Sequence, residues 1–159
     1  MNKIRGNLID LAYQGKFDII VHGCNCFNTM GSGIAKEIKQ RCPEAYQEDY
    51  NTVLGDKSKL GTYTIATCGY DGLDLDNSFL VVNMYTQYRY GTDKVHVEYE
   101  AIRKGFRTLA KEITEFPKED RLTVAYPKIG CGLAGGDWNI VSKIIDEELK
   151  GIEHTLVEL

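Results

Sequence analysis

The chain has 159 residues, a net charge of −4, and 43% hydrophobic and 26% charged residues. This length fits one domain with one continuous core, and the composition is that of a globular protein rather than a disordered or coiled-coil one. No apolar run is long enough to span a bilayer, and residues 1–9 contain no apolar stretch of signal-peptide length. We therefore expect a cytoplasmic protein with no membrane partner.

The distribution of charge and of cysteine argues against duplex-binding proteins and against disulfide-rich proteins. Lysines and arginines are scattered among acidic residues, which argues against a nucleic-acid duplex as ligand and favours a small molecule bound by a monomer. A small anion is still allowed, since backbone amides can bind phosphate without side-chain charge. The five cysteines form no Cys-x-x-Cys pair and are odd in number, so we expect reduced core residues in most cases and no disulfide framework.

Strand and helix patterns alternate along the chain. Apolar runs predict strands at 4–8, 17–26, 61–68, 79–86, 122–129 and 152–159. Three- and four-residue apolar spacings predict helices from Ser32 to about Cys42, from about His96 to before Pro117, and from Ile140 to Leu149. The segment 69–78 is rich in turn residues. This alternation predicts an α/β fold whose mostly parallel sheet is covered on both faces and binds ligands at the carboxyl ends of its strands.

Two glycine-rich loops each lie between a predicted strand and a predicted helix. The first is Gly31-Ser32-Gly33 and the second spans residues 130–136 (GCGLAGG). Glycine allows backbone to approach a ligand closely, and the first turn of the following helix offers unpaired N–H groups. Together the loops predict a two-sided cradle for a diphosphate.

The second loop also matches G-x-G-x-x-G from Gly130 to Gly135, the pattern of a Rossmann dinucleotide site. Only one helix and one strand are predicted to follow it. That is too little for the βαβ continuation with its ribose-binding acidic residue, so the Rossmann alternative is disfavoured.

The two loops and their flanks resemble the macrodomain family. The matching stretches are residues 21–26 (VHGCNC) leading to 30–36 (MGSGIAK), and residues 126–138 (YPKIGCGLAGGDW). The chain is most similar to the branch of ADP-ribose-1″-phosphate phosphatases and terminal ADP-ribose glycohydrolases, which includes phage members. The resemblance implies a single macrodomain over residues 1–159, with a three-layer α/β/α fold, a central mixed, mostly parallel sheet of about six strands, an ADP-ribose cleft and no cofactor or metal.

The resemblance also implies the residues that bind ADP-ribose. Asn7, beside Leu8, falls where the family has its adenine-recognising acidic residue, and Asn25 falls where it has its distal-ribose asparagine. The implied phosphate loops supply Gly31, Ser32, Gly33, Ile34, Ile129, Gly130, Cys131, Gly132, Leu133, Ala134, Gly135 and Gly136.

Some features depart from the family's glycohydrolases. These use a lysine late in the fourth strand and an aspartate in the second loop, and the corresponding positions here fall at residues 85–88 (YTQY) and at Ala134. Many macrodomains also place an aromatic residue where Ala134 stands. The absence of the lysine and of the aspartate weighs against glycohydrolase chemistry that needs these two residues.

His22 and Asp137 remain as candidate catalytic residues. Hydrolysis of a phosphomonoester needs an in-line water, a group that accepts its proton, and donors for the phosphoryl oxygens. His22 could be the base or acid, while Asp137 could orient the water. Structural alternatives stay open: His22 as a hydrogen-bonded core histidine, Asp137 as the N-cap of the last helix, and Asn25 as a turn former.

Other site chemistries also stay open. His22, Cys24 and Cys26 alternate on one strand and could ligate zinc, although a fourth ligand is not evident. Cys131 could be a nucleophile, because a helix N-terminus lowers the pKa of a thiol. One of Tyr85, Tyr88 and Tyr90 could cover the ligand.

We expect an ADP-ribose-binding protein that hydrolyses ADP-ribose 1″-phosphate to ADP-ribose and phosphate without a metal. The first alternative is a non-catalytic reader of ADP-ribose. The second is a de-ADP-ribosylating or deacylating hydrolase that acts on ADP-ribose adducts.

Overall fold

One mixed sheet of six strands forms the centre of the fold. The structure is a computed structural model and describes residues 1–69, 77–91 and 93–159. The strands are β1 (Asn2–Arg5), β2 (Ile19–Cys24), β3 (Tyr63–Cys68), β4 (Phe79–Tyr85), β5 (Val124–Tyr126) and β6 (His154–Glu158). Their order is β1-β6-β5-β2-β4-β3, and every neighbouring pair is parallel except β3 and β4. The predicted mixed, mostly parallel sheet is confirmed.

Helices cover both faces of this sheet. They are α1 (Leu8–Tyr13), α2 (Gly33–Arg41), α3 (Pro43–Tyr50), α4 (Tyr99–Thr114) and α5 (Trp138–Glu148), with single 3₁₀ turns at Lys57–Lys59 and Lys118–Asp120. Residues of β2 alternate between the faces: Ile19 and Val21 pack with α4 and α5, whereas Ile20 packs with α1 and α2. The three-layer α/β/α arrangement is therefore confirmed. Within the described residues, no helix combines the length and apolarity needed to cross a bilayer.

Two short helices were not predicted from the sequence. The strand expected at 4–8 ends at Arg5, and Leu8 instead begins α1, because the side chain of Asn7 accepts a hydrogen bond from the backbone N–H of Asp10 and caps that helix. The first predicted helix ends at Arg41, close to the expected end at about Cys42. Pro43 then opens α3, since a proline is favoured at the first position of a helix.

The cysteines differ in part from the expectation of reduced thiols. A disulfide joins Cys42, between α2 and α3, to Cys68 at the end of β3. The pair lies 26 residues apart in sequence and meets only because α3 packs beside β3, so spacing alone gave no signal. The other three cysteines are free thiols, as expected.

The remaining elements follow the predicted order with shorter strands. Within the stretch 122–129, where a strand was expected, only the three residues of β5 form one. Pro127 lies just beyond the end of β5, where a missing N–H is tolerated. The turn-rich segment 69–78 falls mostly outside the described residues. Because β2 and β5 are parallel neighbours, the two glycine loops that follow them emerge side by side at the same edge of the sheet.

Candidate functional site

The two glycine loops face one another across a cavity of about 730 Å³, which we call the loop cleft. One wall comes from Gly31 to Ala35 at the start of α2, and the other from Pro127 to Ala134 after β5. Its floor is the end of β2, where Gly23 and Cys24 lie. The cleft therefore lies at the carboxyl ends of the parallel strands, as the fold class predicts.

Backbone N–H groups of both loops lack protein partners. Among the described residues, no acceptor is found for the N–H groups of Ser32, Gly33 and Ile34, nor for those of Gly132 and Leu133. The first three belong to the opening of α2, where a helix leaves its N–H groups unpaired and carries a positive partial charge. Unpaired donors on both walls make the cleft suited to an anion with oxygen acceptors on two sides.

A second cavity of about 640 Å³ continues from the loop cleft, and we call it the Asn7 cavity. The two cavities share Gly33, Ile34, Pro127 and Lys128 as lining residues. Asn7 and Leu8 line the far part, so the fold brings these predicted residues into line with the phosphate loops. The combined space is elongated and has its unpaired donors near the middle.

Lys128 supplies a positive charge where the two cavities meet. Its Nζ lies 2.9 Å from Oε1 of Glu158, and this lysine lowers the pKa of that carboxyl. At the far end, Nδ2 of Asn7 donates to Oε1 of Glu37 across 3.0 Å. The Asn7 cavity is thus lined by side chains of both charges, whereas the lining of the loop cleft consists of Lys128 and neutral residues.

Most of the predicted binding residues line this space. From the predicted set, the loop cleft contains Asn25, Gly31, Ser32, Gly33, Ile34, Ile129, Gly130, Gly132, Leu133 and Ala134. Three members of the second loop do not line it: Cys131, Gly135 and Gly136. The last two shape the loop, because Gly136 donates its N–H to O of Gly130 and Gly135 donates to O of Gly132.

The structure does not bring His22 to the cleft. This side chain is completely buried, and its Nε2 donates to Oδ1 of Asn83 across 2.6 Å. Burial lowers the pKa of His22 to about 4, so the imidazole is neutral at pH 7. These observations support the structural alternative for His22, since a buried ring has no access to a substrate or a water in the cleft.

Asp137 also lies outside the lining of the cleft. It is exposed, and its Oδ1 accepts a hydrogen bond from the backbone N–H of Asn139 across 2.9 Å, which caps α5. Its own N–H donates to the hydroxyl of Tyr99. The predicted helix-capping role is confirmed, and the geometry offers no contact between this carboxylate and the interior of the cleft.

Asn25 forms the predicted turn and also lines the cleft. Its Oδ1 accepts from the N–H of Phe27 and its Nδ2 donates to Oγ1 of Thr29, both across 2.8 Å, so it shapes the turn after β2. Asn25 and Thr29 also line the loop cleft. The side chain is therefore held in place by the turn at the edge of the cleft.

The structure separates the three tyrosines among which the sequence could not choose. Tyr90 is exposed and lines the loop cleft, together with Gln87 and Gly91. Tyr85 is buried and donates its hydroxyl to Oδ1 of Asp49, while the hydroxyl of Tyr88 donates to O of Gly55. Of the three, only Tyr90 is placed to cover a ligand in the cleft.

Some lining residues were not predicted as site residues. They are Gly23, Cys24, Thr29, Ala35, Gln87, Gly91, Pro127 and Lys128. Most neighbour a predicted residue in sequence, so extending each loop by a few positions would have found them. Gln87 was noted only as part of residues 85–88, where the family's glycohydrolases have their lysine. Gly91 had no signal, because the segment after β4 joins the site only through the β2–β4 pairing.

The two alternative cysteine chemistries lack support. Burial raises the pKa of Cys131 to about 11, and its thiol donates to O of Ile129, so it is a poor nucleophile at pH 7. In the described part of the chain, the one converging group of three metal-ligating side chains is Cys42, Glu44 and Cys68, of which two form the disulfide. The zinc alternative at β2 therefore has no converged ligand set there.

Comparisons with known proteins agree with this geometry. The chain is 32% identical over 158 residues to a 17.5 kDa protein from the tk–vs intergenic region of Enterobacteria phage T4, with 98% of this chain and 94% of that protein covered. It is 24% identical over 148 residues to the ADP-ribose 1″-phosphate phosphatase of Lodderomyces elongisporus, with 91% and 89% covered.

A solved structure shares the fold. The macrodomain of Thermus aquaticus DarG superposes with a TM-score of 0.74 at 23% identity and covers 99% of this chain and 97% of that one. The profile of the Macro domain matches residues 21–145, a span that contains both glycine loops. The chain therefore belongs to the macrodomain family.

Proposed function

We propose that this macrodomain binds ADP-ribose along the loop cleft and the Asn7 cavity. The observation that carries the proposal is the set of unpaired N–H groups on both walls of the cleft, in the middle of an elongated space. In this arrangement the diphosphate lies between the glycine loops. The adenine lies near Asn7 and Leu8, and the distal ribose lies near Asn25 and Gln87.

We further propose that the protein hydrolyses ADP-ribose 1″-phosphate, the reaction named for its relative from Lodderomyces elongisporus. A water oxygen would attack the phosphorus, and the bond from phosphorus to the oxygen on C1″ would break. ADP-ribose would leave with that oxygen, and the proton of the water would pass to the products. The hydroxyl of Thr29 and the second N–H of the Gln87 amide, whose first N–H donates to O of Arg89, are available as donors near the phosphoryl group.

The side chains of the cleft argue for slow turnover. Within residues 1–69, 77–91 and 93–159, the lining of the loop cleft includes no carboxylate and no imidazole. A positioned general base typically accelerates a reaction by about 10² to 10⁴-fold, and that contribution is missing here. Rate enhancement would then come from orientation and from the N–H groups that hold the phosphoryl oxygens.

The same observation favours a second candidate function, which is binding without turnover. A reader of ADP-ribose needs the donors of the two loops but no general base. The third possibility, hydrolysis of ADP-ribose adducts, would act on the bond to C1″ instead of on phosphorus. The three functions therefore differ in which bond breaks, if any.

One experiment separates them. The affinity for ADP-ribose is measured by calorimetry, and phosphate release from ADP-ribose 1″-phosphate is followed in ¹⁸O-labelled water with EDTA present. Label in the released phosphate shows cleavage between phosphorus and oxygen, as the proposed phosphatase requires. Unlabelled phosphate shows cleavage at C1″ and supports the adduct-directed hydrolase, and binding without release supports the reader.

The matched control is Gly132→Val. Gly132 lines the cleft, and a Cβ there would meet no atom within 4 Å, so the variant keeps its fold while a side chain extends beside the cleft. Release that persists in this variant would come from a contaminating phosphatase. A wild-type protein that does not bind ADP-ribose would overturn the whole proposal.

A further inference from the structure

A third cavity lies outside the elongated site and shares none of its lining residues. It measures about 420 Å³ and we call it the basic pocket. Lys57, Arg89 and Lys94 line it, and Glu98 is its one carboxylate. The chain as a whole carries a net charge of −4, whereas the charged residues around this cavity are mostly positive.

Among the described residues, the three cations have no acidic partner. In the described part of the chain, no carboxylate oxygen lies within 4.0 Å of the charged group of Lys57, Arg89 or Lys94. Two carboxylates close by in sequence are engaged elsewhere. Asp56 accepts from the N–H of Ser58, and Asp93 pairs with His96 across 2.8 Å.

Some exposed cations elsewhere in the protein are neutralised by ion pairs. Arg41 pairs with Asp10 and Glu37, and Arg103 and Arg107 both pair with Glu148. What distinguishes the basic pocket is that three cations without an ion pair among the described residues line one cavity. An anion from solution would complete it.

Aromatic rings hold two of the cations in place. Nζ of Lys57 lies 4.9 Å from the ring centre of Tyr88, and the guanidinium of Arg89 lies 5.4 Å from that centre and 5.3 Å from the ring centre of Phe27. The Tyr88 hydroxyl donates to O of Gly55, which fixes the ring. Such contacts restrict the position of a cation while leaving its N–H groups free to donate.

We propose that the basic pocket is a second anion-binding site that takes a phosphate group. A tetrahedral dianion offers acceptors in several directions, which matches donors from three separate chain positions, and lysine and arginine are the usual side-chain partners of phosphate. The pocket borders the cleft through one segment, since Gln87, Tyr90 and Gly91 line the cleft whereas Tyr88 and Arg89 line the pocket. The site is independent of ADP-ribose binding.

The test is a titration of inorganic phosphate into ¹⁵N-labelled protein, followed by amide chemical shifts, with and without saturating ADP-ribose. We expect saturable shifts at Tyr88, Arg89 and Lys94 to His96 that persist when ADP-ribose is present. Lys57→Gln and Arg89→Gln should each weaken this binding by roughly fivefold, the loss expected for one charge-assisted contact at a partly exposed site.

Lys118→Gln is the matched control, because Lys118, like Lys57, is an exposed lysine in a 3₁₀ turn. It should bind phosphate as the wild type does. Shifts confined to the glycine loops and removed by ADP-ribose would overturn the proposal, as would equal binding by all three variants. The affinity for ADP-ribose is measured on the same samples, so failure of the cleft proposal is recognised separately.

A second arm identifies the source of the phosphate. A short single-stranded oligonucleotide replaces inorganic phosphate in the titration. Tighter binding of the oligonucleotide at the same amides would support a phosphodiester ligand, and binding no tighter than that of inorganic phosphate would support a free anion. Both results support a phosphate site, whereas absence of binding in both arms overturns it.

Discussion

His22 and Asn83 lie side by side on β2 and β4, joined by the hydrogen bond from Nε2 to Oδ1. The Asn83 amide donates in turn to O of Ala45 in α3 across 2.8 Å and to Oγ1 of Thr64 in β3 across 3.0 Å. This chain of bonds ties two central strands to a helix and to the edge strand. His22 is therefore part of the network that joins these elements, and its side chain is buried away from the lining of the cleft.

His22→Leu should destabilise the protein without impairing ADP-ribose binding. At pH 7 the variant leaves Oδ1 of Asn83 unpaired in the core, which typically costs about 1–3 kcal/mol of the free energy of unfolding. Neither the affinity for ADP-ribose nor the phosphate release per folded molecule should change. Denaturant unfolding and calorimetric titration measure these quantities, and loss of release at full folding would restore a catalytic role to His22.

The same variant should also change how stability depends on pH. The pKa of His22 is about 4 in the folded protein and near 6.5 when unfolded, so between these values the unfolded chain binds a proton that the folded chain does not. Wild-type stability should thus fall by about 3 kcal/mol from this group as the pH drops from 7 to 4. His22→Leu should lack that component. His154, whose pKa burial also lowers, is present in both proteins and cancels in the comparison.

Two glycines of the second loop should respond oppositely to substitution by valine. A Cβ at Gly132 would meet nothing within 4 Å, so Gly132→Val should keep its thermal stability and bind ADP-ribose more than about tenfold more weakly, because the phosphate needs close approach to the backbone. A Cβ at Gly136 would lie 2.5 Å from O of Gly130, so Gly136→Val should destabilise by several kcal/mol.

Thermal unfolding and calorimetric titration of the two variants test this contrast. Wild-type affinity in a folded Gly132→Val protein would show that the diphosphate does not approach this loop. A Gly136→Val protein as stable as the wild type would show that the loop can rearrange.

The sheet and the loops could be predicted from the sequence because their signals are local. Runs such as Ile19 to Val21 mark buried strands, and glycine clusters mark loops that approach ligands. Local signals left two roles open for His22, as a catalytic residue and as a hydrogen-bonded core histidine. Its partner Asn83 is 61 positions away, and only the pairing of β2 with β4 brings them together.

The short helices were missed for a related reason. In α1 only six residues are helical, too few for a periodic pattern to outweigh the apolar run that suggested a strand at 4–8. The capping role of Asn7 was the available signal. For the site, the glycine loops were found from the sequence, whereas tertiary packing decides that Tyr90, and neither Tyr85 nor Tyr88, lines the cleft.

Reduction of the Cys42–Cys68 disulfide should destabilise the protein and leave ligand binding unchanged. The bond closes a loop of 26 residues, and loss of such a link typically costs about 3 kcal/mol through the entropy of the unfolded chain. Neither cysteine lines the loop cleft or the Asn7 cavity, so the affinity for ADP-ribose should not change. Denaturant unfolding with and without reductant measures the effect.

Thiol counting and a serine variant control this experiment. Unreduced, denatured protein should show the three free thiols Cys24, Cys26 and Cys131, and Cys42→Ser should reproduce the stability of the reduced form. Five free thiols before reduction would mean that the disulfide does not form in the purified protein.

Asn7→Ser should separate the capping role of Asn7 from its proposed contact with adenine. Serine is as good an N-cap as asparagine, so α1 should persist and the free energy of unfolding should change by less than about 1 kcal/mol. The shorter side chain loses the bond to Glu37 and no longer reaches into the Asn7 cavity. The wild type should bind ADP-ribose more tightly than its hypoxanthine analogue, and in the variant the ratio of the two affinities should be several-fold smaller. Paired calorimetric titrations measure both affinities. An unchanged preference in a fully folded variant would place the adenine away from Asn7, because discrimination between the two bases requires a polar contact at the edge that differs between them.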